Sequence, residues 1–198
     1  MKVYWGFAVL LLFGKTSLAL SPTQVEIDLE EQRAYLLQGR RVLLTSPISS
    51  GRYGHLTETG SFHIIEKERN HFSSLYGKIV DRKGNTIVVD ADADMKVPPG
   101  GKFIPAPMSY FMRFHGADGM HAGYLPGYPA SHGCVRLPEQ FAVAFYNSVV
   151  VGTPVNVFGP TARPRDSFRF RPQPIGFPPF FGPPSRDLRY YDPRGWQW

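Results

Sequence analysis

Alternating apolar and polar positions predict short strands at the start of the central region. Residues 25–29 (VEIDL) alternate between apolar and acidic side chains, which is the period-two pattern of a half-buried strand. Residues 34–37 and 42–45 form two further apolar runs around Gly39, a spacing that is typical of a hairpin. The central region is therefore predicted to begin with a strand followed by a hairpin.

Three more strands and one helix are predicted further along the chain. Residues 61–66, 86–89 and 155–158 are rich in β-branched side chains, which favour strands. Residues 139–149 instead show helical spacing after a proline, a common first-turn residue. The apolar face of this predicted helix consists of Phe141, Ala144, Phe145 and Val149. The pattern indicates a mainly β domain with one or two short helices.

The net charge of +6 belongs to the two ends of the 198-residue chain. Residues 1–19 contain two Lys and no acidic residue, and residues 159–198 contain seven Arg and three Asp. Residues 20–158 hold 13 basic and 13 acidic residues. A neutral central region offers no basic groove, so nucleic acid is not an expected partner.

The first end has the pattern of a secretory signal. Lys2 precedes an apolar run at residues 5–13, which is too short to span a bilayer, and small residues follow at Ser17 and Ala19. Residues 1–19 are therefore a predicted signal peptide, and the protein is expected to be exported. An uncleaved anchor and a buried first strand remain as alternatives.

The other end, residues 159–198, has nine Pro, nine aromatic residues and seven Arg without apolar periodicity. Such a composition does not build a core, so a disordered Pro/Arg/aromatic-rich tail is predicted. The tail is interpreted either as an adhesive arm on an anionic cell envelope or as a solvated segment without a partner.

Residues 114–137 concentrate the reactive side chains, with three of the six His, five Gly and the only Cys. A lone Cys forms no internal disulfide, and a thiol becomes a strong nucleophile only as a thiolate beside an imidazole or a positive dipole. The residues therefore predict a Cys–His acyl-transfer site at Cys134.

The alternative is a zinc site, since this stretch also supplies zinc-ligand types: His115, His121, His132 and Cys134. No pair among them has the close spacing of a structural zinc site. Neither a metal nor another cofactor is expected.

Several stretches of the sequence resemble a known family. Residues 131–136 (SHGCVR), with a His upstream, resemble the active-site signature of the L,D-transpeptidase family, the YkuD-type catalytic domain of bacterial cell-wall enzymes. Residues 119–130 resemble one branch of this family, and residues 57–62 resemble its T-P-T-G-x-F element with Glu58 in place of the usual Pro. The resemblance covers residues 24–158 and implies a YkuD-like β-sandwich or barrel there.

The resemblance implies that Cys134 attacks the bond between an L-centred and a D-centred residue of a peptidoglycan stem peptide. The resulting thioester passes to an amine, which belongs to a second stem, a wall-anchored protein or a D-amino acid. Transfer to water makes the same site an L,D-carboxypeptidase or hydrolase. A non-catalytic wall-binding module is a further alternative.

Two histidines compete for the role of general base. His115 is separated from the SHGC motif by 15 residues, which agrees with the family spacing of 14 to 17 residues. His121 has only nine intervening residues, but its neighbours in Gly-Met-His-Ala-Gly resemble the strand end that carries the family's base. We favour His121 and keep His115 as the alternative base.

The remaining site residues are expected to shape the turn or bind substrate. Ser131, His132 and Gly133 are predicted to form the catalytic turn, and the amides of Gly133 and Cys134 to form the oxyanion hole. Ser131 and His132 are alternatively only loop-holding residues. The predicted substrate-binding residues are Arg136, Tyr110, Met112 and Tyr124, and His71, Ser74 and Tyr76 resemble a further substrate-facing segment. Core packing is the alternative for Tyr110 and Met112, and a structural salt bridge is the alternative for Arg136.

Overall fold

The computed structural model describes residues 23–163, and these form a mainly β fold with a single short helix. The prediction of the fold class is confirmed. The predicted signal peptide at 1–19 and most of the predicted tail at 159–198 lie outside the described residues.

Ten strands and one helix follow one another along this part of the chain. Their bounds are β1 (Thr23–Asp28), β2 (Arg33–Gln38), β3 (Arg41–Pro47), β4 (Gly60–His63), β5 (Glu66–Val80), β6 (Thr86–Asp92), β7 (Lys102–His115), β8 (Asp118–Ala122), β9 (Val135–Leu137), α1 (Glu139–Ser148) and β10 (Pro154–Phe158).

The first sheet has the strand order β3-β2-β1-β10-β4. The predicted hairpin is present as β2 and β3, and Gly39 in its turn has a φ of 59°, which favours glycine. β10 returns from the end of the domain to lie parallel to β1 and antiparallel to β4. All predicted strands of this sheet are confirmed within a few residues.

The second sheet has the order β6-β5-β7-β8-β9 and contains the region rich in His and Gly. Its long strands β5 and β7 run antiparallel, whereas β8 and β9 run parallel. The β5–β7 register shifts between Phe72 and Gly77, so residues 73–76 bulge from the sheet. This bulge becomes one wall of the cavity described below.

The main hydrophobic core joins the two sheets and α1. Ile27 of the first sheet, Val135 of the second and Phe145 of α1 are all fully buried in it. The helix begins after Pro138 as predicted and ends one residue earlier than predicted, while Val149 is still buried. Burial of this face anchors the second sheet, and with it the catalytic turn, against the first.

Candidate active site

A cavity of about 160 Å³ lies at the end of the second sheet. The bulge at residues 73–76, part of β7, the start of β8 and the turn before β9 form its walls. Cys134, His121 and Arg136 all line it. The structure thus brings together three residues predicted for the site.

Strand register explains why these three side chains share one cavity. In the parallel pair of β8 and β9, His121 lies opposite Arg136 and Met120 lies opposite Val135. Met120 and Val135 point into the core, so the other face carries His121 and Arg136. Cys134 precedes Arg136 by two residues and therefore emerges on that same face.

The Cys134 thiol is protonated at neutral pH. Burial raises the pKa of Cys134 to about 12, and the charge of Asp118 adds to this rise. A hydrogen bond from the Gly119 amide and the charges of Arg136 and Arg113 act in the opposite direction. The Sγ atom lies 3.7 Å from the Ala117 carbonyl oxygen, which accepts its weak hydrogen bond.

His121 is neutral and has a defined tautomer. Its side chain is buried, and this burial lowers its pKa to about 4. Nδ1 donates a hydrogen bond of 2.8 Å to the Ala122 carbonyl oxygen, which only accepts. The proton therefore resides on Nδ1, and Nε2 keeps a free lone pair with which to accept a proton.

His115 is placed differently from His121. It is exposed at the end of β7, where its ring packs against Phe62 with a centroid distance of 4.7 Å. It is not among the residues that line the cavity with Cys134. Of the two candidate bases, only His121 shares the cavity with the thiol.

Ser131 stabilises the turn before β9 through two hydrogen bonds of its hydroxyl group. Its side chain is buried, its hydroxyl donates to the Cys134 carbonyl oxygen, and it accepts a hydrogen bond of 3.2 Å from the Gly133 amide. These contacts agree with the loop-holding alternative for Ser131. The Gly133 amide, predicted to face an oxyanion, is turned towards this hydroxyl.

A threonine not singled out from the sequence supports the same turn. The buried hydroxyl of Thr57 accepts a hydrogen bond of 2.8 Å from the Gly51 amide and donates one of 2.6 Å to the Gly133 carbonyl oxygen. Gly51 also pairs with Ser131 in a parallel bridge. The only signal for Thr57 in the sequence was its place in the resemblance at residues 57–62.

His132 connects the catalytic turn to the β5–β6 hairpin. Its Nε2 lies 2.7 Å from Nη2 of Arg52, which donates to it, and Arg52 forms a 3.0 Å ion pair with Asp90 of β6. Burial and the adjacent guanidinium lower the pKa of His132 to about 4. The ring of Tyr76 stacks on the imidazole at 4.1 Å. We define Arg52, Asp90 and His132 as the polar bridge.

Arg136 is a buried cation, and one of its N–H groups has no hydrogen-bond acceptor. It is 3% exposed, and Nη2 donates to the Ala130 carbonyl oxygen at 3.2 Å. Its Nη1 is buried without a hydrogen-bond partner. Burial lowers the pKa of Arg136 to about 10, so the group is still charged at neutral pH.

The model of the L,D-transpeptidase catalytic domain, YkuD, matches residues 22–157. The match covers more than half of the chain and includes every residue of the cavity. This chain belongs to the YkuD family. The curated proteins include none that matches the chain.

Solved L,D-transpeptidases share the YkuD fold with this chain. An L,D-transpeptidase from Stackebrandtia nassauensis has a TM-score of 0.53 and 21% identity over 76% of this chain and 63% of that one. One from Mycobacterium smegmatis has a TM-score of 0.53 and 19% identity over 70% and 59%, respectively. The catalytic domain of the Enterococcus faecium enzyme has a TM-score of 0.51 and 25% identity over 70% and 98%. The chain thus spans less than two thirds of the first two proteins.

Two predicted substrate-binding residues of this YkuD domain lie in the core instead. Met112 is fully buried, and Tyr110 packs on Tyr146 of α1 at 5.7 Å. Tyr110 has a φ of 58°, and this left-handed residue interrupts the alternation of β7. Met108 before it and Arg113 after it therefore both line the cavity, whereas Tyr110 and Met112 point to the other side. Core packing, the alternative left open for this pair, accounts for both positions.

Tyr124 lies on the cavity wall of the YkuD domain with 45% of its surface exposed. His71, Ser74 and Tyr76 line the same cavity from β5 and its bulge. Asp118, which the sequence reasoning missed, also lines it. No obvious sequence signal marked Asp118, because its place depends on the β7–β8 turn.

Within residues 23–163, no group of three or more His, Cys, Asp or Glu side chains is arranged to hold a metal ion. The helix of this region is also too short to cross a bilayer.

Proposed function

We propose that this YkuD domain is a peptidoglycan L,D-transpeptidase with Cys134 as nucleophile and His121 as general base. The observation that carries the proposal is the shared face of β8 and β9, which directs both side chains and Arg136 into one cavity. Its L,D-transpeptidase family supports a stem peptide as the acyl donor.

In the first half-reaction, Nε2 of His121 removes the proton from Sγ as the sulfur attacks the carbonyl carbon of the L–D bond. The thiol and imidazole are both neutral at rest because burial opposes either charge. Proton transfer therefore accompanies attack and does not precede it. The tetrahedral intermediate expels the D-residue as an amine, which takes the proton from His121 and leaves a thioester on Cys134.

The oxyanion of the intermediate requires nearby amide donors. We assign this role to the amides of Cys134 and Gly133. The Gly133 amide must leave the Ser131 hydroxyl to reach the oxyanion, and its bond of 3.2 Å is a long one that is readily exchanged.

In the second half-reaction, an amine attacks the thioester, His121 takes a proton from the nitrogen, and the expelled sulfur is protonated again. With water as acceptor, the same steps give an L,D-carboxypeptidase. Export to the cell envelope is part of the proposal and rests on residues 1–19, which lie outside the described residues.

Mass spectrometry provides the test. The purified protein is incubated with a carbapenem and, separately, with stem tetrapeptides. We expect one covalent adduct on Cys134 and, from the stem peptides, an amide-linked product. Cys134→Ala should give neither. A protein that binds sacculi but forms no adduct would instead be a wall-binding module, and release of the D-residue without transfer would indicate a carboxypeptidase.

The matched pair His121→Gln and His115→Gln tests the assignment of the base. We expect His121→Gln to slow acylation by roughly 100-fold or more, in the range of a lost general base, and His115→Gln to retain most of the rate. Comparable acylation by wild type and His121→Gln would contradict the assignment.

A further inference from the structure

The cavity beside Cys134 is lined by a half-buried carboxylate, that of Asp118, and by a buried guanidinium, that of Arg136. Asp118 and Arg136 both line it, and both are close enough to the thiol to affect its ionisation. No ion pair between these two side chains occurs in the described part of the chain. The cavity is therefore complementary to a ligand with its own positive and negative groups.

Asp118 is held against the catalytic turn. It begins β8, and its carboxylate lies so close to Gly133 that a side chain there would overlap Oδ1. The carboxylate accepts a hydrogen bond from the Glu58 amide. Burial raises the pKa of Asp118 to about 6, a rise that the charge of His115 opposes. The group is still ionised at neutral pH.

No Lys or Arg of residues 23–163 forms an ion pair with Asp118. A partly desolvated carboxylate gains most from a cation that enters with the ligand, because water solvates it poorly there. Arg136 presents the converse case, since its buried Nη1 has no acceptor. A buried donor without a partner is unfavourable, so an anionic group of the ligand is expected at Nη1.

We propose that Asp118 determines the specificity for the acyl acceptor by binding its ammonium group, while Arg136 binds the carboxylate next to that ammonium. This rests on the proposed transpeptidase function and narrows it. The acceptor is the amino-acid centre of a free D-amino acid or of a diaminopimelate stem residue. A lone side-chain amine, such as that of a lysine in a wall protein, has no carboxylate for Arg136.

The proton balance of the transfer is complete with these groups. Asp118 takes one proton from the bound ammonium, which frees the nitrogen lone pair. The amine attacks the thioester carbon, and His121 takes a second proton from the nitrogen as the C–N bond forms. The C–S bond then breaks, the sulfur takes the proton from His121, and Asp118 releases its own to solvent.

The test measures how the thioester formed from one donor tetrapeptide is divided between aminolysis and hydrolysis. The acceptors are D-alanine, D-alaninamide and Nα-acetyl-lysinamide. We expect D-alanine to be transferred about tenfold or more in preference to the other two, the size of one lost charge-assisted contact.

Stem tetrapeptides with diaminopimelate or lysine at position three form a second matched pair. Only the diaminopimelate stem should dimerise, and the product masses separate dimers from free D-amino acid exchange.

Asp118→Asn should lower the aminolysis-to-hydrolysis ratio for D-alanine about tenfold, whereas the exposed control Asp94→Asn should leave this ratio unchanged. Equal transfer to D-alanine and Nα-acetyl-lysinamide would overturn the inference even if Asp118→Asn does not fold, because that comparison uses the wild-type protein. An unchanged ratio in folded Asp118→Asn would also overturn it. Absence of any thioester would overturn the proposed function itself, a separate result visible in the protein mass.

Discussion

At the residue scale, both the backbone conformation and the surroundings of Gly133 restrict this position to glycine. Its φ of 114° is unfavourable for other residues, and an added Cβ would overlap the Asp118 carboxylate. Its carbonyl and amide are also bonded to Thr57 and Ser131. Backbone strain, a close contact and two hydrogen bonds thus meet in the residue next to Cys134.

We therefore expect Gly133→Ala to slow carbapenem acylation of Cys134 by roughly 100-fold and to destabilise the fold by about 1–3 kcal/mol. Stopped-flow acylation and urea unfolding measure the two effects. Gly84→Ala is the matched control, because Gly84 has a φ of 86° but open space around its Cα. Equal acylation rates in the two variants would show that the overlap at Gly133 is harmless.

His121 links the site to the pH dependence of stability. Its folded-state pKa of about 4 lies below its ordinary value of 6.5, so the unfolded chain binds a proton that the folded chain does not between these values. Stability contributed by the neutral imidazole is therefore complete above about pH 6.5 and is lost as the pH falls towards 4. Asp118, with its raised pKa, acts in the opposite direction below about pH 6.

We expect the unfolding free energy of wild type to fall more steeply from pH 7 to pH 4.5 than that of His121→Gln. The difference should be on the order of 1–3 kcal/mol. Urea titrations at both pH values measure it, and His132 and Asp118 are common to both proteins. Parallel pH profiles would mean that His121 is protonated equally in the folded and unfolded chains.

The residues named from the sequence differ in how far the structure supports them. Cys134 and His121 could be identified from the sequence because each lies within a short contiguous motif that resembles the family. Thr57 and Asp118 were not, because their roles arise from contacts with Gly133. Gly133 lies in the turn before β9, 76 residues from Thr57, whereas Asp118 begins β8. Alternation placed Tyr110 and Met112 on one face of β7, as observed, but it did not reveal whether that face lines the cavity or packs on the core.

At the element scale, the polar bridge couples the β5–β6 hairpin to the catalytic turn. Asp90 belongs to β6, Arg52 to the loop after β3, and His132 to the turn itself. The bulge at residues 73–76 belongs to the same hairpin and lines the cavity. Loss of the bridge is expected to affect the cavity wall and the turn together.

Asp90→Asn should therefore lower kcat/KM for the stem donor about threefold to tenfold while the melting temperature changes little. The ion pair is largely exposed, and exposed pairs contribute little to stability. Asp94→Asn, on the exposed segment after β6, is the control. Turnover of the stem donor and a thermal melt measure the two effects. An equal loss of activity in Asp94→Asn would show that the effect comes from the change of charge and not from the polar bridge.

Elements of the first sheet were predicted from the sequence, but most of the second sheet was not. β5 (EKERNHFSSLYGKIV) has mostly exposed or half-buried residues, so it lacks the alternation of a strand with one buried face. β9 is only three residues long and is completely buried. Both elements exist because neighbouring strands pair with them, which a local pattern does not encode.

At the scale of the whole molecule, charge is separated between a neutral central region and basic ends. Residues 164–198 carry six of the Arg residues and lie outside the described residues. If this segment holds the enzyme on an anionic envelope, its contribution depends on salt.

We expect deletion of residues 164–198 to weaken retention on sacculi at low salt while acylation of Cys134 stays within about twofold, since charge attraction acts over roughly 10 Å. Cosedimentation at low and high salt measures retention. A full-length variant with these six Arg residues changed to Gln separates charge from length. Equal retention of the deleted and complete chains would identify the segment as a solvated tail.

The sequence by itself determined the mainly β class and the family, and it pointed to Cys134 as the proposed nucleophile. These follow from period-two patterns and from a motif whose reacting groups lie side by side in the chain. Only the tertiary structure decided which histidine shares a cavity with Cys134, that Tyr110 and Met112 belong to the core, and that Asp118 and Arg136 line the cavity of the thiol. Strand register and a left-handed residue set these relations. Both depend on pairing between distant segments, which no single stretch of sequence specifies.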